Sequence, residues 1–163
     1  MSPGRDAWGL IEMDDLTVIA TAREALQADF AHAVDSCADA IQRARRENFE
    51  VLSSSHSYAI SKRYEAALQR APIDRVRELP WIRSRVDTLD VVALGQAITT
   101  DFAEPLRGFG LAVGAGHDFS TERGALIGRY RAIVDLLTLA QLRELETFVG
   151  LPWPPTIEQG RTD

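Results

Sequence analysis

The chain has 163 residues, 24 acids against 18 bases, a formal net charge of −6, and 45% hydrophobic and 26% charged residues. That length and apolar content suit one domain with its own core and exclude a wholly disordered chain, since enough apolar surface exists to offset chain entropy. A single cysteine, Cys37, excludes an intramolecular disulfide, and no apolar run approaches the roughly 20 residues of a membrane-spanning helix.

With no secretory leader at the N-terminus, a reducing, cytoplasmic setting is expected. Charge is unevenly spread: residues 1–40 carry a net −6, residues 41–85 a net +5 and residues 86–163 a net −5. Seventeen of the eighteen bases are arginine, which reads as the mark of a GC-rich bacterial genome rather than of guanidinium chemistry.

Residues 1–13 hold Pro3, Gly4 and Gly9 among isolated apolar residues, and read as an extended arm whose Trp8 docks on a neighbouring surface. Asp14 and Asp15 supply the acids expected at a helix start. Neither proline nor glycine occurs from Thr17 to Arg70. Apolar residues recur at steps of three and four through Ile19, Ala22, Leu26, Phe30, Ala33, Cys37 and Ile41. The expectation is one very long helix, about Leu16–Arg70, either straight or bent at Ser53–Ser57, where serine hydroxyls compete for the helical backbone. Unbroken, it would span about 80 Å at 1.5 Å per residue, more than a domain of this size is wide.

Ala71-Pro72 ends that helix, because a residue before proline disfavours α geometry. Ile73–Leu79 supply one or two turns, and Pro80 suits the first position of a helix over Trp81–Glu104. Pro105 disrupts it, and Gly108, Gly110, Gly114 and Gly116 make 107–116 a loop or close-packed turn. A last helix starts at Asp118 or Ser120, has Glu122 in its first turn, and stops at Gly150 before Pro152. The tail 151–163 is extended, with three prolines around Trp153. The fold class expected is all-α: a helical bundle of three to five helices over 14–150, flanked by two arms.

No motif carries a reaction. Asp29 and His32 share a helix face at the i, i+3 spacing of bundle metal sites, but no second carboxylate–histidine pair follows, so no metal or cofactor is assigned. His56 sits among serines, yet adjacent helical residues point about 100° apart, so Ser55–His56 makes a poor nucleophile–base pair and no catalytic residue is named. The glycines leading to His117 and Asp118 have the look of an anion cradle, without a P-loop lysine or a preceding strand. Arg43, Arg45, Arg46, Lys62 and Arg63 form a basic belt, partly neutralised if Glu47 pairs with Arg43 and Glu50 with Arg46. The primary expectation is a non-enzymatic helical interaction subunit, homo-oligomeric or part of a larger complex, with Trp8, Arg43, Arg46, Arg63 and Trp153 as interaction residues. The alternatives are a small-ligand-, cofactor- or metal-binding bundle, enzymatic or not, with a pocket near His56 lined by His32, His56, Tyr58 and His117, and a nucleic-acid-associated protein using Arg43–Arg85. No membrane association is expected.

Overall fold

The structure is a computed structural model that describes residues 3–47, 54–82 and 91–150, with residues 3–15, 54–55, 91, 93–94 and 96–99 at the level of the backbone. Among the described residues there are six helices and no strand, and the protein is an all-α bundle. They are α1 (Pro3–Arg46), α2 (Ser54–Arg70), the single turn α3 (Ile73–Val76), α4 (Val91–Gly114), α5 (Ser120–Val134) and α6 (Leu139–Val149).

The long helix expected to reach Arg70 is two helices. In one straight helix Asp29 and Arg63 would lie about 50 Å apart. Instead Arg63 Nε donates to Asp29 Oδ2 at 2.6 Å, so α2 runs back antiparallel along α1. The chain reverses between Glu47 and Ser54, and His56 and Ser57 lie in the opening turns of α2 rather than at a bend. Serine is a poor interior residue but a good opening one, because its hydroxyl serves backbone N–H groups that lack partners at a helix start. Ser53, at the edge of the expected bend, lies outside the described residues.

α1 also starts earlier than expected. Its backbone is helical from Pro3, where the sequence predicts an extended arm over residues 1–13. Proline at the first helical position sacrifices no intrahelical hydrogen bond, and two glycines cost only about 1 kcal/mol each. The tail 151–163, with Trp153, lies outside the described residues.

Three further boundaries differ from expectation. Residues 80–82 form a turn, and α4 begins at Val91. α4 then runs through Pro105 and the glycines to Gly114. Phe102, Phe109 and Val113 of that stretch are buried, and three buried apolar side chains offset a proline penalty of about 3 kcal/mol. Gly116, at φ 76°, closes the helix in the left-handed region that glycine favours. The expected last helix is also divided, at Asp135–Leu137. Thr138 caps α6, its hydroxyl accepting from the Gln141 N–H while the Gln141 side chain accepts from the Thr138 N–H. At the head of α5 the Asp118 carboxylate accepts from the N–H and hydroxyl of Ser120, and Gly150, at φ 82°, ends α6 as expected.

The core follows from the stripe on α1. Ala22, Leu26, Phe30, Val34, Cys37 and Ile41 are buried, and α1 packs against α2, α4, α5 and α6. Phe30 stacks on Tyr130 of α5, with ring centroids 4.1 Å apart, and meets Phe102 of α4 edge-on at 6.3 Å. Phe102 stacks in turn on Tyr64 of α2 at 4.0 Å. Four rings from four helices thus form one continuous aromatic column, a set of offset and edge contacts worth about 0.5–1.5 kcal/mol each beyond burial.

Candidate interaction surface

Where α1 ends and α2 begins, the bundle leaves a groove against α4. Its lining is Ile41, Ser57, Ala103, Leu106, Arg107, Gly110 and Leu111, around a volume of about 500 Å³. A second hollow of about 360 Å³ continues it along α4, sharing Ala103 and Arg107 and adding Thr100 and Glu104. The period of α4 builds the groove: residues 103, 107 and 110–111 fall on one face, opposite the buried Phe102, Phe109 and Val113. At Gly110 an added Cβ would meet nothing within 4 Å, so the groove stays open there.

Large apolar groups around this face meet solvent. Leu111 is 67% exposed, Tyr58 in the second turn of α2 is 61% exposed, and Val92 near the start of α4 is also exposed. Lys62 lies over the Tyr58 ring, 5.2 Å from its centroid. Beneath the groove Cys37 is buried, and burial pushes its thiol up, against a smaller opposite pull from the Ser57 hydroxyl. This is an inert core sulfur, not a nucleophile.

The sequence candidates scatter over this frame. His32 is exposed in mid-α1, with Asp29 held by Arg63 through two hydrogen bonds of 2.6 and 3.3 Å. His117 is exposed between α4 and α5, and Tyr58 faces solvent. His56 is half-buried beside the groove-lining Ser57. None of His32, His56, Tyr58 and His117 lines either hollow described above. Among the described residues no group of three or more His, Cys, Asp or Glu side chains is placed to hold a metal.

The basic belt divides. Arg63 is turned inward, bound to Asp29 and to the Ala59 carbonyl. Arg70 approaches Glu144 at 3.5 Å and lies over Phe148. Arg43, Arg45 and Arg46 are exposed in the last turn of α1, and the expected Arg43–Glu47 ion pair is not formed. Arg45 instead places its guanidinium against Gly116, beyond the α4 end of the groove. Glu50 lies outside the described residues, as do the side chain of Trp8 and all of Trp153.

One buried group went unread. Glu146 is fully buried in α6, and neither carboxyl oxygen has a hydrogen-bond partner. Burial pushes its carboxyl up to about 7, against a smaller opposite pull from Arg143. A signal existed: Glu146 sits between Leu142, Leu145 and Val149 on the apolar stripe of the helix. The groove was illegible for another reason, since 107–116 reads as a loop and a loop has no face to expose.

Among the described residues no helix is long and apolar enough to cross a membrane. Comparison with protein families, with curated proteins and with solved structures finds no match to this chain.

Proposed function

We propose that the protein is a non-enzymatic helical interaction subunit that assembles through the groove between α2 and α4. One observation carries this reading: Leu111, a large apolar side chain that is 67% exposed, lines an open groove together with Ile41, Leu106 and Gly110. An amphipathic helix lays its apolar face into such a groove, with anchors at i, i+3/i+4 and i+7. Exposed apolar groups around a concavity mark contact sites, whereas scattered single ones do not.

The test is hydrodynamic. At micromolar concentration the 18.0 kDa chain should sediment as a larger assembly, or retain a protein partner. The Leu111→Glu variant should sediment as a folded monomer, because a 67% exposed leucine contributes little to the core. A compact wild-type monomer that retains no partner overturns the proposal.

A second reading is favoured by the groove volume, which falls in the range of small-molecule sites and lies beside Ser57 and His56. A discrete added mass in the native mass spectrum of the purified protein, lost in an Ala103→Trp variant, would select it.

A further inference from the structure

Resting on the assembly reading above, we propose that the occupant of the groove is the acidic start of α1, residues 3–16, supplied by a second copy of this chain. Three observations lead there: the charge of the groove, the charge and pattern of the segment, and the rigidity of α1.

In the described fold, Arg63, Arg70 and Arg123 each find a carboxylate: Asp29, Glu144 and Asp35. Arg43, Arg45 and Arg46 find none among the described residues, and neither does Arg107 in the groove wall. Against these cations the groove lining offers one acid, Glu104. The site is therefore an apolar trough with a basic end.

Residues 3–16 have the complementary character. Asp6, Glu12, Asp14 and Asp15 stand against Arg5, and Trp8, Leu10, Ile11 and Leu16 are interspersed. The backbone there is already helical, so no folding entropy is spent on docking. Leu16, the first described side chain of α1, is 68% exposed. Fourteen helical residues span about 21 Å, comparable to the run of α4 that lines the two hollows.

The segment cannot reach its own groove. Ile41 lines that groove and belongs to the same unbroken helix as Leu16. Twenty-five residues of helix hold them about 37 Å apart. Two copies placed antiparallel along α1 satisfy each other reciprocally: each acidic start enters the other's groove, and a two-fold pair closes. The leucines and isoleucine of the lining favour a helix over a nucleic-acid backbone, which would engage the arginines and leave the apolar trough unfilled.

The experiment uses the full chain and sedimentation equilibrium. Asp14→Arg/Asp15→Arg makes one variant and Arg45→Glu/Arg107→Glu the other, all at exposed or terminal positions, with circular dichroism confirming that each is folded. The expected result is a roughly tenfold weaker self-association for each variant alone and recovery when the two are mixed, because each reversed start then meets a reversed groove and each native start a native one. Wild-type self-association should also weaken with added salt. If Leu111→Glu dissociates the assembly while Asp14→Arg/Asp15→Arg leaves it unchanged, the proposed occupant is wrong and the groove reading survives. If the wild type is a monomer that binds no protein, both fall. A monomer that shifts nucleic acid at low salt, and loses the shift on Arg45→Glu/Arg107→Glu, overturns the proposal in favour of a phosphate-binding role.

Discussion

Two carboxylates buried to different ends show how environment sets the meaning of a residue. Asp29 is largely buried with a bidentate arginine, whereas Glu146 is fully buried with no hydrogen-bond partner. The pKa of Glu146 rises from 4.5 to about 7 on folding, so the folded state holds its proton more tightly than the unfolded chain. Its contribution is fully present below pH 4.5, where both states are protonated, and is lost as pH rises through about 7. The loss is about 3 kcal/mol when complete. Urea titrations should therefore find Glu146→Gln close to wild type at pH 4 and more stable by about 3 kcal/mol at pH 8, where the loss is nearly complete. Equal stability at pH 8 would sink the assignment. For the ion pair, Arg63→Met alone leaves Asp29 uncompensated and should cost about 2–3 kcal/mol, while Arg63→Met with Asp29→Leu recovers most of it. A double-mutant cycle by urea unfolding checks both numbers. Neither role could be read from residue type alone. The ion pair of Asp29 was not legible locally, because its partner is 34 positions away.

At the scale of elements, periodic apolar residues were legible and boundaries were not. The stripe from Ile19 to Ile41 faces inward as its spacing demands, and Gly150 and Asp118 act as helix ends. The errors share one cause: burial overrode local propensity. Pro105 and four glycines argued against a helix that Phe102, Phe109 and Val113 hold in place, and no glycine announced the reversal after Glu47. The break before α6 was visible in Thr138 and Gln141, a capping pair at the required spacing. Helical glycines that contact nothing follow the same logic in reverse. At Gly124 and Gly128 on the exposed side of α5 an added Cβ meets no atom within 4 Å. Gly124→Ala and Gly128→Ala should each stabilise the protein by about 0.5–1 kcal/mol, read as a raised urea midpoint at an unchanged slope. A destabilised variant would mean that some other contact occupies that side.

For the molecule as a whole, the sequence conveys the fold class and the segregation of charge, and the structure shows what that segregation does. Part of the basic middle is consumed internally, by Asp29 and Glu144. Arg43, Arg45 and Arg46 sit at the exposed end of α1, beside the groove where assembly is proposed. The candidate histidines fall on α1, on α2 and between α4 and α5, and nothing local in the sequence reports which helix returns beside which.

α1 is the wall against which the other long helices are set, and those helices are synthesised at very different distances from it. The link to α2 closes a short loop, but Arg123 reaches Asp35 across 88 residues and Arg23 reaches Asp135 across 112. Tyr130, which caps the aromatic column on Phe30, comes with the same late segment. A chain emerging from the ribosome can form the α1–α2 hairpin early, yet the far side of its founding helix stays bare until the last third of the sequence has been made. Those late pairings lengthen the sequence separation that folding must close, and until they form Leu26, Phe30 and Val34 lack the partners that α5 supplies.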